Sequence, residues 1–151
     1  MNKSTVREIK ERFDNDVERF SNLDTGQVSA IDAKVSLELL TEASKIIQPN
    51  AQNLLDLGCG AGNYTLKMIK KIANLNCTLV DLSQPMLDKA KERVSAQTNN
   101  SVEIIQGDLR EIELKENHFD IILAGNVLHH LRDDEDWETT FKKLYNILKP
   151  G

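Results

Sequence analysis

Two cysteines, Cys59 and Cys77, form neither a disulfide framework nor a metal-ligand signature, so both are read as small apolar fillers kept reduced. No apolar run approaches the roughly 20 residues that span a bilayer, and the polar opening Met1-Asn2-Lys3-Ser4 is not followed by the apolar stretch of a signal peptide. A cytoplasmic protein with no membrane partner is expected. Positive charge is in deficit, with 19 Lys and Arg against 24 Asp and Glu, a net charge of −5, so the overall field does not favour nucleic acid. Lys3, Arg7, Lys10 and Arg12 do cluster, but Glu8, Glu11, Asp14 and Asp16 are interleaved with them, as on a solvated helix face. There is no internal repeat, low-complexity tract or linker. What remains is 151 residues, 40% hydrophobic and 28% charged, the profile of a single globular domain.

Hydrophobic periodicity assigns the elements. Val6, Ile9, Phe13, Val17 and Phe20 recur at steps of three and four and predict one helix, opened by a Thr5/Glu8 capping box and closed by Ser21 to Gly26. A second helix is expected from about Ile31, with Val35, Leu39, Leu40, Ala43, Ile46 and Ile47 as its buried side and Pro49-Asn50 as its stop. Residues 1–50 thus form an N-terminal helical segment and a candidate lid. From residue 53 strand and helix alternate. Strands are read at Asn53 to Leu57, Asn76 to Asp81, Val102 to Gln106 and Phe119 to Ala124, the last a continuous apolar run suited to a strand covered on both faces. Between them fall helices with Leu66, Ile69 and Ile72, and with Met86, Leu87, Ala90 and Val94, facing inward; Ser83 caps the latter and Pro85 stands in its first turn. A last helix carries Trp137, Phe141, Leu144 and Leu148. This alternation predicts an α/β fold, a doubly wound parallel sheet whose ligand lies beyond the carboxyl ends of the strands.

The most informative stretch is Asp56-Leu57-Gly58-Cys59-Gly60-Ala61-Gly62 between the first strand and its helix. Glycines there let a ligand approach the backbone and the free amides of the helix start. A dinucleotide site would need a glycine where Asn63 stands, and a phosphate loop would need a following Gly-Lys-Ser/Thr that is absent. A nicotinamide-dependent oxidoreductase therefore fails on spacing. A purely structural glycine turn still fits this loop taken alone. At the end of the second strand, Asp81 has the two acceptor oxygens that suit a ribose diol, or else serves as an acid at the start of the next helix.

Taken together, these motifs resemble class I S-adenosylmethionine-dependent methyltransferases. Asp56-x-Gly58-x-Gly60-x-Gly62 resembles the first motif of that family and Asp81-Leu82-Ser83-x-x-Met86 the second, while Gly107-Asp108-Leu109 stands where the family places its adenine contacts. Gly125-Asn126 through Asp133 resembles the loop beside the methionine part of the cofactor. The resemblance implies S-adenosylmethionine as cofactor, with Asp56, Gly58, Cys59, Gly60, Gly62, Asp81, Leu82, Met86, Asp108, Leu109 and Asn126 around it. Asp108 would accept the adenine amino group and Leu109 would pack on the ring. It implies a Rossmann-like sheet of order 3-2-1-4 over residues 51–151, and methyl transfer with no metal to an unidentified acceptor, for which the acidic balance favours a small molecule over nucleic acid. A non-catalytic module binding S-adenosylmethionine or S-adenosylhomocysteine is the alternative.

If the acceptor must lose a proton, His129 and His130 are the nearest candidates for a base, although such a pair serves as readily in packing; His118, at the other end of its strand, is read as inert. No catalytic residue is assigned. The chain also departs from the family. No Asn/Asp-Pro-Pro-Tyr/Phe follows the fourth strand, and the strands that come after Leu148-Lys149-Pro150-Gly151 in the family are missing. The fourth strand is therefore expected to be an open edge, which marks the chain as a fragment or as one that pairs with a second copy.

Overall fold

The computed structural model describes residues 4–22 and 33–150. Among the described residues three helices precede the sheet: α1 (Val6–Asp14), α2 (Val17–Ser21) and α3 (Ala33–Ile47). Then follow β1 (Asn53–Leu57), α4 (Asn63–Lys71), β2 (Asn76–Asp81), α5 (Gln84–Ser95), β3 (Val102–Gln106), β4 (Ile121–Leu123) and α6 (Asp134–Ile147), with a 3-10 turn at Leu128–His130. All strand pairs are parallel and the order is β3-β2-β1-β4, as the family resemblance implied.

β1 is central and its alternate side chains enter two cores. Leu54 joins Met68, Leu79 and Leu87 beneath α4 and α5, whereas Leu55 and Leu57 meet Val80, Phe119 and Ile147 beneath α6. A strand buried on both faces reads as an unbroken apolar run, which is why Leu54, Leu55 and Leu57 flank only one polar residue, Asp56. Each such leucine contributes roughly 1.5–3 kcal/mol.

Four elements differ from their sequence-based expectation. The single N-terminal helix is broken at Asn15-Asp16, because the Asn15 side chain donates to the Glu11 carbonyl at 2.8 Å and ends α1. Of its stripe only Ile9 is buried, while the Thr5/Glu8 capping box forms as read. α3 is turned away from the side expected to be buried. Leu37 and Thr41 face the core, whereas Val35, Leu39, Leu40, Ala43, Ile46 and Ile47 are exposed, because Glu38 and Glu42 pair with Lys67 and Lys71 and so orient the helix against α4. Ile31, where this helix was expected to begin, lies outside the described residues.

β4 is shorter than Phe119 to Ala124. Asp120 turns its carboxylate onto the Gln52 and Asn53 amides at 3.0 and 2.8 Å, and Phe119 pairs instead with Leu148 through an isolated parallel bridge. The start of the fourth-strand edge is therefore covered by the chain returning from α6, where the Lys149 amide donates to the Phe119 carbonyl at 2.9 Å. On α6 itself, Trp137 and Phe141 lie exposed and stacked on each other, and the buried positions are Thr140 and Ile147. Leu144 packs partly against the core and Leu148 falls just beyond the helix.

Candidate functional site

The carboxyl ends of β1, β2 and β3 open into one cavity. Gly58 forms part of its floor, Asp81 and Leu82 its β2 side, and Asp108 and Leu109 its β3 side. α1 adds Val6 and Ile9, and the segment after the 3-10 turn adds Leu131. These residues are far apart in sequence. Parallel strands ending at one level bring them together.

The glycine loop is held from several sides. Gly58, Gly60 and Gly62 have φ of +64°, +51° and +80°, a left-handed region that other residues reach at a cost. At Gly58 an added Cβ would lie 2.6 Å from the Val127 Cβ, so the backbone must stay bare there. Gly60 is the opposite case, since an added Cβ would meet nothing within 4 Å and the space above the backbone is open. The Gly60 amide donates to one Asp81 oxygen at 2.8 Å and the Ser83 amide to the other at 3.0 Å. Each Asp81 oxygen keeps a further lone pair, so a vicinal diol can still be accepted there. Burial raises the Asp81 carboxyl above its ordinary range against these backbone hydrogen bonds, and the Asp14 carboxylate on α1 raises it further.

Of the eleven cofactor positions read from sequence, Gly58, Asp81, Leu82, Asp108 and Leu109 line this cavity. Asp56 sits below it, 1% exposed, accepting the Thr65 hydroxyl at 2.7 Å. Desolvation pushes its carboxyl up to about 7. Cys59 is buried within the loop and Met86 is wholly buried on the inner face of α5, so neither side chain lines the cavity. Gly60 and Gly62 contribute backbone only. Asn126 lines a second cavity with Tyr64, Gly125, Ser36, Leu39 and Leu40. His130 lies on the first cavity and packs edge-on against Phe13, with ring centroids 6.4 Å apart, while its neighbour His129 does not line it. His118 packs edge-on against Phe119, away from both cavities.

Several supporting residues escaped the sequence reading. Arg93 reaches from α5 to donate to the Ala61 carbonyl at 2.6 Å and to the Asn63 side-chain oxygen at 3.0 Å. The Asn63 amide in turn donates to the Phe20 carbonyl at 3.4 Å, so α5, the loop and α2 are tied in series. Val127 covers Gly58, and the Tyr64 ring fills the space where Gly125 has no side chain, with Cε2 only 2.5 Å from an added Cβ. Arg93 stands on α5 three residues beyond Ala90, with no motif around it to mark it in the sequence. Arg110 was equally silent; it pairs with both Asp108 and Asp136.

The model of a family described as "Methyltransferase domain" matches residues 54–151. A demethylmenaquinone methyltransferase of Listeria monocytogenes serotype 4a (strain HCC23) is 29% identical over 125 residues, covering 82% of this chain and 52% of that protein. A malonyl-[acyl-carrier protein] O-methyltransferase of Priestia megaterium is 29% identical over 143 residues, covering 95% of this chain and 48% of that protein. The N-methyltransferase NodS of Bradyrhizobium japonicum WM9, solved with S-adenosylhomocysteine, superposes with a TM-score of 0.71 at 21% identity, covering 92% of this chain and 69% of that one. The chain spans about half the length of the curated relatives it matches.

Proposed function

The chain belongs to the methyltransferase domain family, and on that premise we propose that it is the cofactor-binding part of an S-adenosylmethionine-dependent methyltransferase acting on a small molecule. The observation that carries this reading is the convergence of an open glycine loop and two carboxylates, Asp81 and Asp108, on one cavity at the strand ends. The donor set fits the proposed cofactor. Asp81 retains the lone pairs to accept two ribose hydroxyls, Asp108 stands at the neighbouring strand end for the adenine amino group, and Leu109 beside it offers an apolar wall for the ring. Gly60 leaves room for close approach to the backbone, and Asn126 flanks the methionine part from the end of β4.

When bound, the sulfonium supplies an activated methyl group and carries its own leaving group. The work left to the protein is to orient, enclose and exclude water. Arg93 from α5 and Asp81 from β2 fix the loop, and α1, with Val6 and Ile9 lining the cavity, is placed to act as the lid that residues 1–50 were expected to provide. The second cavity, lined by Leu39, Leu40 and Tyr64 around the Asn126 amide, suits a largely apolar acceptor with one polar group. The relatives' names, demethylmenaquinone methyltransferase and malonyl-[acyl-carrier protein] O-methyltransferase, favour a small reacting group, free in the one case and carried on a protein in the other. No described helix is long and apolar enough to cross a membrane, and a cytoplasmic location is part of the proposal.

Calorimetric titration with S-adenosylhomocysteine tests the reading, on this chain and on one extended to the length of its relatives. Saturable one-site heat is expected. Absence of binding by both chains would overturn it.

A further inference from the structure

Asp108 does not stand alone at the end of β3. Its Oδ1 accepts the Arg110 backbone amide at 3.0 Å and the Arg110 Nε at 2.8 Å, while its Oδ2 is engaged by the Arg110 Nη2. The other arm of the guanidinium donates to Asp136 Oδ2, in the first turn of α6, at 2.9 Å. All three side chains are mostly buried, at 11%, 16% and 17% exposure for Asp108, Arg110 and Asp136. The turn that carries them is clamped a second time, because Lys143 of α6 donates to the carbonyls of Leu109, Arg110 and Ile112 at 3.1, 2.6 and 3.0 Å. Asp108 and Arg110 both line the cavity at the strand ends.

A carboxylate offers about four lone-pair sites. Three donors from Arg110 fill both sites of Oδ1 and one of Oδ2, which leaves a single acceptor for anything entering the cavity. A planar guanidinium anchored at its far end also prevents the carboxylate from turning to suit another partner.

We propose that Arg110 is a positioning and specificity-determining residue for the adenine end of the site: held between Asp108 and Asp136, it presents one fixed acceptor that reads a single hydrogen-bond donor on the base. The inference rests on the reading that Asp108 meets the adenine of S-adenosylmethionine, and it adds a selectivity which that reading does not contain. A base with a carbonyl in place of the amino group, as in the deaminated analogue S-inosylhomocysteine, finds a carboxylate that is unable to turn away and unable to donate. Without Arg110 the carboxylate rotates freely and protonates more readily, so it can serve either base.

The surroundings of Asp108 fix the direction of the pH effect. Arg110 faces it from its own turn, Asp136 and Lys143 from α6, His130, Arg132 and Asp81 line the same cavity, and Glu111 and Glu113 act on Lys143. Burial raises the Asp108 carboxyl, and the hydrogen bonds and charge of Arg110 outweigh that and hold it below its ordinary value. Replacing Arg110 by a neutral residue leaves burial and the Asp136 charge unopposed, so Asp108 takes up its proton at higher pH.

The test is calorimetric binding of S-adenosylhomocysteine and S-inosylhomocysteine across a pH series, to the wild-type chain and to Arg110→Gln, Arg110→Lys and Asp136→Asn, each checked for unchanged thermal melting. Arg110→Gln is expected to bind S-adenosylhomocysteine about tenfold more weakly, the order of one charged hydrogen bond, to discriminate less between the two ligands, and to lose affinity on acidification at higher pH than wild type. Asp136→Asn, which leaves Asp108 untouched, is expected to lose part of the discrimination. Arg110→Lys is expected to restore the pH profile through its charge and not the selectivity, because an ammonium lacks the planar fork. A wild-type chain that binds and discriminates, with Arg110→Gln matching it in ratio and pH profile, overturns this inference and leaves the proposed function standing. A wild-type chain that binds neither ligand overturns both.

Discussion

Asp56 is a buried acid with one side-chain partner, the Thr65 hydroxyl, and its behaviour follows from that poverty. Burial raises its carboxyl from 3.8 to about 7 in the folded chain, so the fold favours the protonated form. An acid whose folded value is raised costs nothing below its unfolded value, costs progressively more as pH climbs from there to the folded one, and levels off above it. Stability is therefore expected to fall as pH rises from acidic toward neutral, with Asp81 adding to the slope in the same direction. Asp56→Asn keeps an acceptor for Thr65 without the ionisation. Its melting temperature should decline less over that range than the wild type's; parallel curves would refute the assignment. The position also shows what a motif conceals. Asp56 was implied as a cofactor contact, yet its side chain is buried at the end of β1, accepts the Thr65 hydroxyl and does not line the cavity.

Among the elements, α3 is the one whose burial the sequence misstates. Its apolar residues outnumber what the described structure covers, and the side that reads as core carries Leu39, Ile46 and Ile47 at 65%, 71% and 74% exposure. The side that packs holds Leu37 and Thr41, flanked by Glu38 and Glu42. Charges at those positions look like a solvent face in one dimension. They become a seam only because α4 brings Lys67 and Lys71 alongside. Leu37→Ala is expected to cost about 2–4 kcal/mol in denaturant unfolding, whereas Ile46→Ala should stay within about 0.5 kcal/mol. Equal losses would place the expected stripe in the core after all. α1 and α2 teach a related lesson, since an unbroken apolar period concealed the break that Asn15 imposes through its own side chain.

At the scale of the whole molecule, the cavity joins α1, three strand ends and the segment before α6, so a ligand in it links most of the fold. Binding to the folded state alone stabilises it by mass action, about 2.7 kcal/mol at a hundredfold excess over Kd. S-adenosylhomocysteine should thus raise the melting temperature. Hydroxyl donors on Asp81 favour its ionised form, so binding releases a proton and the rise should shrink as the solution is acidified. A rise that grows on acidification would remove Asp81 from the ribose site.

The local pattern of residues 53–147 was by itself enough to determine the strand-helix alternation, the parallel sheet, the alternate glycines and the acids at successive strand ends. These are short-range features, set by side-chain period and by backbone angles that favour glycine. The tertiary structure alone decided which face of α3 and α6 is covered, that Asp56 and Met86 are buried away from the cavity while Asp81 and Asp108 line it, and that Arg93 and Arg110 hold its loop and the Asp108 carboxylate. Those outcomes depend on pairings such as Arg93 with Ala61 and Arg110 with Asp136, made across 32 and 26 positions of chain. A one-dimensional period carries no record of what stands opposite.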